Sequence, residues 1–315
     1  MRIGILGAGA VGGYFGGRLA MAGVPVRFLV RPKRYQQLRE HKLWIHTDDE
    51  EWQLEPVLAA TPEELGHVDV LLVALKNYHL EAAFPTLDEV VKRGARLLPL
   101  LNGMDHLDIL SERYGSHRVL GGTCYIETTL DEDGHVRKAG PMHDLVFGPR
   151  SEEQKEFAEK LYQTMLLGKF RVTLSEQIET EMWRKYTFLT CLSGMTAATR
   201  SPVGVFVNDE FSLAYLHSLA EEIIRIARAE GAQLPTEMAK EIAVRMQKAS
   251  PSLTSSMHRD LEKGLPLELE SLQGGFLRRA HKHQIAAPHL AAIYALLHPY
   301  IQGKPQHVEW GVTLK

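Results

Sequence analysis

The chain opens with Arg2-Ile3-Gly4-Ile5-Leu6-Gly7-Ala8-Gly9-Ala10-Val11-Gly12 and continues as Gly13-Tyr14-Phe15-Gly16-Gly17. A short apolar strand runs into glycines spaced G-x-G-x-x-G and then into a helix. Gly7 permits a tight turn, Gly9 lets the backbone approach a pyrophosphate, and Gly12 lets the helix pack closely on the strand. The helix N-terminus offers unpaired N–H groups to phosphates. A glycine-rich turn without a ligand is the competing reading of such a motif. Here a strand precedes it, a helix follows, and a second strand, Pro25 to Val30, closes the unit. That context favours a dinucleotide site, with Gly7, Ala8, Gly9, Ala10, Val11 and Gly12 as its phosphate cradle.

The end of the second strand bears on which dinucleotide. An NAD-preferring fold usually places Asp or Glu about 20 residues beyond the glycines, where it accepts from the ribose hydroxyls. This chain has Arg31, then Pro32, Lys33 and Arg34. No carboxylate stands there to repel a 2′-phosphate, and three cations could hold one. Arg suits forked phosphate contact, whereas Lys acts more as a point charge. A solvated basic helix start accounts for Lys33 or Arg34 alone, and less well for Arg31 at the strand end. The expected cofactor is NADPH.

At 315 residues the chain suits two domains of ordinary size. Hydrophobic residues are 44%, charged residues 24%, and the formal net charge is −3. That balance argues against a nucleic-acid partner, which normally demands a basic excess. Cys124 and Cys191 lie far apart without a C-x-x-C pattern, so neither a disulfide framework nor a zinc ribbon is indicated. No apolar leader precedes the first strand and no apolar run reaches membrane-spanning length. The expectation is a cytoplasmic protein with no membrane partner.

Along the chain, Tyr35 to Glu40 reads as helix and Leu43 to Leu54 as a polar hairpin near the sheet edge. Val68 to Leu75 is an apolar run typical of a parallel strand covered on both faces, ending at Lys76-Asn77. A helix with Ala82, Ala83 and Val90 on its apolar side is expected next. Ala95 to Leu101 repeats the pattern and ends at Asn102-Gly103-Met104. Ligands collect at the carboxyl ends of strands in such sheets, which places Lys76 and Asn102 near a nicotinamide or substrate. Either could instead start a helix, and Asn77 reads as an N-cap. Val119 to Thr129, Met142 to Phe147 and Phe170 to Leu174 read as strands, with a charged helix from Ser151 to Met165. From Gln177 onward the chain reads as helices, including Asn208 to Glu230 with apolar residues at three-to-four spacing. The expected division is residues 1–175, a Rossmann α/β domain, and residues 176–315, an all-helical domain.

The helical half holds two polar constellations. One is Glu181-Met182-Trp183-Arg184-Lys185, leading into a mostly uncharged segment from Tyr186 to Thr199. The other is Ser255-Ser256-Met257, Asp260 and Glu268, with Leu265-Pro266-Leu267 between. Each alone is more often a capped helix or a surface ion pair than a catalytic group.

Taken with Gly7-x-Gly9-x-x-Gly12, Arg31, Lys76, Asn102-Gly103-Met104 and Thr196-Ala197, these residues resemble the ketopantoate reductase (2-dehydropantoate 2-reductase) family over the whole length. The resemblance implies an N-terminal NADPH-binding Rossmann domain and a helical C-terminal domain of the 6-phosphogluconate dehydrogenase-like type. It implies reduction of a 2-oxo acid to a 2-hydroxy acid, ketopantoate to pantoate in pantothenate biosynthesis, in the cleft between the two. By the same resemblance Arg31 would hold the 2′-phosphate, and Lys76 and Asn102 would line the nicotinamide and substrate region. Lys185 would protonate the carbonyl oxygen, Glu268 would hydrogen-bond the reacting substrate, and Ser256 would contact its carboxylate. Lys185, Glu268 and Asn102 form the implied catalytic set.

The chain also departs from that pattern. The family resembles Lys-x-x-x-Asn-x-x-x-Asn along the catalytic helix, with a further Asn beyond it. Here those positions are Leu189, Ser193 and Val203, and Ser193-Gly194 stands where Asn-Pro is usual. Sites built on polar contacts discriminate strongly, so the replacements can change the substrate. Ser193 and Arg200 are the candidate replacement contacts, with a surface or linker role for Arg200 as the alternative. A relative with a larger or less polar substrate is one competing reading, and a non-catalytic NADP(H)-binding sensor is another. The retained Lys185 and Glu268 weigh against the sensor.

No metal is expected. His281, His283 and His289 follow Arg278 and Arg279 on what reads as a solvated polar face. His41 and His46 read as surface residues, and Cys124 and Cys191 as small buried hydrophobes. An exposed apolar face on the C-terminal helices could support a homodimer.

Overall fold

The computed structural model describes residues 1–305. The chain divides into two compact units, Met1–Met182 and Trp183–Lys315, with the division inside the helix Ile178–Thr199.

The first unit contains ten strands. They are β1 (Ile3–Leu6), β2 (Val26–Leu29), β3 (Leu43–His46), β4 (Glu51–Leu54) and β5 (Leu58–Ala59), then β6 (Val70–Val73), β7 (Arg96–Pro99), β8 (Gly121–Leu130), β9 (Val136–Gly148) and β10 (Arg171–Leu174). One sheet has the order β5-β2-β1-β6-β7, and every neighbour in it is parallel. β1 and β6 are buried along their whole length, as strands covered on both faces must be. The other sheet runs β10-β9-β3-β4, with β8 pairing antiparallel to β9.

The helix Ala10–Met21 is packed from both sides, and its paired glycines explain how. An added Cβ at Gly12 or Gly16 would meet Ile5 or Phe28 of the parallel sheet at 3.0 Å or less. An added Cβ at Gly13 or Gly17 would meet Val136 or Ile45 of the second sheet at under 3.0 Å. Two bare faces on one helix let two sheets close on it, with Tyr14, Phe15 and Leu19 filling the space between.

Several local expectations change. The hairpin Leu43 to Leu54 is present, but it belongs to the second sheet, with Leu43 and Ile45 fully buried. His46 is accordingly not a surface residue: its side chain is 15% exposed, stacks on Trp44 and pairs with Glu51 at 2.8 Å. β9 extends back to Val136, and a register shift opposite Ile126/Glu127 absorbs Gly140-Pro141-Met142. After β6 the chain makes two short 3₁₀ turns before the helix Phe84–Lys92, so Ala82 is exposed while Leu87, Val90 and Val91 are buried.

Within residues 183–305 every regular element is helical. The helix Glu210–Ala229 starts at a cap, Asp209, whose carboxylate accepts from the Ser212 N–H at 2.8 Å, and buries Leu216, Leu219, Ala220, Ile223 and Ala227. Gly231, with φ of +92°, turns the chain just beyond it. Arg279 lies 7% exposed rather than on a solvated face: its guanidinium stands over Trp183 and pairs with Glu230, on which Lys282 and His283 also converge. His289 pairs with the buried Glu222 at 2.6 Å, so it too has a structural partner. Cys124 and Cys191 are both buried and not joined in a disulfide, and burial pushes the Cys191 thiol well above its usual range.

Candidate active site

The glycine loop has the geometry its spacing predicts. Gly7 has φ of +95°, where an L side chain is strained, and a Cβ there would also lie 2.8 Å from the Ala74 carbonyl. A Cβ at Gly12 would fall 2.1 Å from the Gly7 carbonyl, so only glycine permits the turn and helix to meet. Gly9 caps the helix Ala10–Met21 in extended conformation with no side-chain cap, and the first helical bond is Gly13 N–H to the Gly9 carbonyl at 2.8 Å. The preceding N–H groups thus have no intrahelical acceptor. A Cβ placed on Gly9 meets no protein atom within 4 Å. An uncapped helix start beside an open backbone fits a dinucleotide pyrophosphate.

At the end of β2 the cations divide. Arg31 is exposed, at the start of the helix Pro32–His41, with its Nη2 3.4 Å from His79 Nε2. Burial first, and the Arg31 charge second, hold the His79 imidazole below its ordinary pKa. Lys33 is exposed as well. Arg34 is not part of that solvated group. Its Nε donates to the Ala8 carbonyl at 2.9 Å, and its Nη1 donates to the Gly134 carbonyl at 2.8 Å and to Gln37 Oε1 at 2.6 Å. Burial lowers its pKa to about 10, opposed by Asp131. Arg34 therefore braces the glycine loop, a role that residue type and spacing alone did not reveal.

Lys76 and Asn102 follow β6 and β7, which are adjacent and parallel. Both are half-buried. Asn77 is not a cap: its side-chain amide donates to the Asn102 carbonyl at 2.7 Å and ties the two strand ends together.

In the second unit the helix Ile178–Thr199 is the frame for the remaining candidates. Lys185 is half-buried on it, and Leu189 and Ser193 follow at helical spacing. The neighbouring Tyr186 is buried, stacks on Phe276 with centroids 4.2 Å apart, and donates its hydroxyl to the Leu272 carbonyl at 2.8 Å. Glu268, 4% exposed, immediately precedes a turn whose residues Glu270–Gly274 are π-helical, a form that often marks functional sites. The Glu268 carbonyl accepts from Leu272 N–H and from Ser271 Oγ, both at 3.1 Å. Ser256 is half-buried at the first position of the helix Ser256–Glu262. The adjacent Ser255 caps that helix, accepting from the His258 N–H at 3.0 Å, and its hydroxyl is 2.9 Å from that of Thr196. Thr196 donates to the Leu192 carbonyl, so Ser255 donates to Thr196, and all three bonds are satisfied.

The replacement residues behave differently from one another. Ser193 is fully buried, with its Oγ accepting from Gln273 Nε2 at 3.1 Å. Val203 is fully buried and starts the short helix Val203–Phe206. Arg200 is exposed at φ of +50°, just beyond the long helix, with its guanidinium 5.0 Å from the centre of the Tyr300 ring. Among the described residues, Asp131, Asp133 and His135 could bring ligand atoms within 4.8 Å of one another, but Asp131 is already bonded to Arg137 and to the His135 N–H. No described helix is long and apolar enough to cross a membrane.

Two family models cover most of the chain: Ketopantoate reductase PanE/ApbA over residues 3–152, and its C-terminal counterpart over residues 177–301. The chain belongs to the ketopantoate reductase family. Its relatives include the uncharacterized oxidoreductase YkpB of Bacillus subtilis, 33% identical over 95% of this chain and 99% of the relative. The crystal structure of a PanE/ApbA family ketopantoate reductase from Ralstonia eutropha superposes with a TM-score of 0.86 at 28% identity, over 95% of this chain and 98% of that one. D-mandelate dehydrogenase, solved with NADH and anilino(oxo)acetate, matches with a TM-score of 0.86 at 21% identity, over 95% and 98% of the two chains, which is a likeness of fold. As a member of this family the chain is an oxidoreductase, and the family works with a nicotinamide cofactor.

Proposed function

We propose that the protein is an NADPH-dependent cytoplasmic reductase converting a 2-oxo acid to a 2-hydroxy acid, with ketopantoate as the leading substrate. The observation that carries this reading is the retention of Lys185 and Glu268 on a braced helical frame, in a chain that also keeps an open glycine loop and Arg31. A bound NADPH supplies the hydride that adds to the carbonyl carbon. Arg31 holds the 2′-phosphate, and the N-terminus of the helix Ala10–Met21 takes the pyrophosphate. Lys76 and Asn102 orient the nicotinamide end. Negative charge builds on the substrate oxygen as the hydride arrives, and the Lys185 ammonium stabilises it and delivers the proton. Glu268 accepts a hydrogen bond from the hydroxyl being formed, and Ser256 donates to the substrate carboxylate.

The buried placement of Ser193 and Val203 favours a second reading, a 2-oxo acid with a less polar chain. Ser193 spends its hydroxyl on Gln273, and neither Leu189 nor Val203 can replace an amide contact. The exposed Arg200, stacked over Tyr300, gives no support to a substrate-carboxylate role.

The test is NADPH oxidation by the purified protein, with ketopantoate set beside other 2-oxo acids. Preference for ketopantoate supports the leading reading. Turnover only with acids of apolar chain supports the second. NADPH binding without turnover on the whole panel overturns both in favour of a sensor.

A further inference from the structure

We propose that Tyr186, together with Gln273, is a positioning residue: the pair locks the Lys185 segment to the π-helical turn that follows Glu268, so that proton donor and carboxylate keep a fixed separation. The inference rests on the roles proposed above for Lys185 and Glu268.

Tyr186 is covalently next to Lys185, and the bond from its hydroxyl to the Leu272 carbonyl crosses from one element to the other. Leu272 in turn donates its N–H to the Glu268 carbonyl at 3.1 Å. Two hydrogen bonds therefore connect the backbone at Lys185 to the backbone at Glu268. The Tyr186 ring is held as firmly as its hydroxyl, stacked on Phe276 at an interplanar angle of 24°.

Gln273 makes the second tie, one turn further along the same helix. Its Nε2 donates to the Thr190 carbonyl at 3.0 Å and to Ser193 Oγ at 3.1 Å. The approach depends on Gly194, where an added Cβ would lie 3.2 Å from Gln273 Nε2. A π-helical turn carries one residue more than the regular ladder, and here Gly274 N–H reaches back to the Leu269 carbonyl at 2.9 Å. Holding such a turn at Leu272 and Gln273 fixes where the chain leaves Glu268. Ser193 and Gln273 thus form a buried scaffold where the family uses an amide.

A control for simple loss of stability exists in the same unit. The Tyr215 hydroxyl also donates to a backbone carbonyl, that of His289 at 2.6 Å, and joins two helices that carry none of the candidate catalytic groups.

The experiment compares Tyr186→Phe, Gln273→Leu, Tyr215→Phe and Lys185→Ala in the full-length protein, measuring kcat, KM, the NADPH dissociation constant and Tm. Tyr186→Phe and Gln273→Leu are each expected to lower kcat about 10- to 100-fold, as small misplacement of a reacting group does. NADPH affinity should stay within about twofold of wild type. In both variants the loss should fall on kcat with KM nearly unchanged, a split that a merely structural role would not produce. Tyr215→Phe should lower Tm comparably and leave kcat unchanged. In a Lys185→Ala background Tyr186→Phe should cause no further loss. If Lys185→Ala abolishes turnover while Tyr186→Phe and Gln273→Leu behave as Tyr215→Phe does, the positioning role is overturned and the catalytic reading stands. If Lys185→Ala turns over normally, the catalytic reading fails and the positioning role fails with it. Should Tyr186→Phe not fold, wild-type kcat in Gln273→Leu overturns the proposal by itself.

Discussion

Arg31 and Arg34 lie three residues apart and do different things. Arg31 is exposed at the strand end, whereas Arg34 turns inward to the Ala8 and Gly134 carbonyls. Sequence spacing grouped both with Lys33 as one basic cluster, because nothing local says which arginine finds backbone acceptors that are 26 and 100 residues away. The distinction gives paired expectations for cofactor titrations. Arg31→Ala should weaken NADPH by about 10- to 100-fold while changing NADH little, the scale of one lost charge-assisted phosphate contact. Arg34→Gln should weaken NADPH and NADH alike, since it loosens the loop that both would share. Equal losses of the two cofactors in Arg31→Ala would contradict the 2′-phosphate assignment.

Among elements, the helix Ala10–Met21 shows what the sequence displayed and what it hid. The motif Gly7-x-Gly9-x-x-Gly12 was legible because each glycine answers a local backbone need. Gly13 and Gly17 were not, because their reason is a second sheet formed by residues far along the chain, Val136 and Ile45 among them, while Gly16 answers to Ile5 and Phe28 of the parallel sheet. Gly16→Val would drive two methyl groups into Ile5 and Phe28, and should cost about 1–3 kcal/mol, read as a lowered midpoint in urea. A midpoint equal to wild type would contradict the packing described. The π-helical turn after Glu268 was equally hidden, since the groups bonded to it, the Tyr186 hydroxyl and the Thr190 carbonyl, lie 86 and 83 residues earlier in the chain than their partners Leu272 and Gln273.

Glu230 governs another junction between elements. Burial there favours the neutral acid, but hydrogen bonds from Lys282 and His283 and the Arg279 charge outweigh it and hold the carboxyl below its usual range. A depressed folded-state pKa stabilises the fold above the ordinary glutamate value, and that stabilisation is lost as pH falls through the folded value. Glu230→Gln should therefore cost about 1–3 kcal/mol near neutral pH, and the cost should begin to shrink as pH drops below the ordinary glutamate range and disappear only below the depressed folded-state value. A pH-independent difference in chemical denaturation would show that the charge of Glu230 is not what matters.

For the whole molecule, a strand-rich half followed by a helical half was legible from periodicity alone, because parallel strands covered on both faces and amphipathic helices leave distinct patterns. Lys185 and Glu268 were visible as candidates only through the combined spacing of many motifs; taken singly, each had an ordinary structural explanation. As proposed above, this chain passes a hydride from a nicotinamide to a 2-oxo acid, and Lys185 supplies the proton. The most direct measurement uses NADPH deuterated at the transferable C4 position, with mass spectrometry of the product from wild type and from Lys185→Ala. Wild type should give a 2-hydroxy acid carrying one deuterium on its carbinol carbon, and Lys185→Ala almost none although NADPH still binds. Label transfer unchanged by Lys185→Ala, or no transfer by a wild-type protein that binds NADPH, would contradict it.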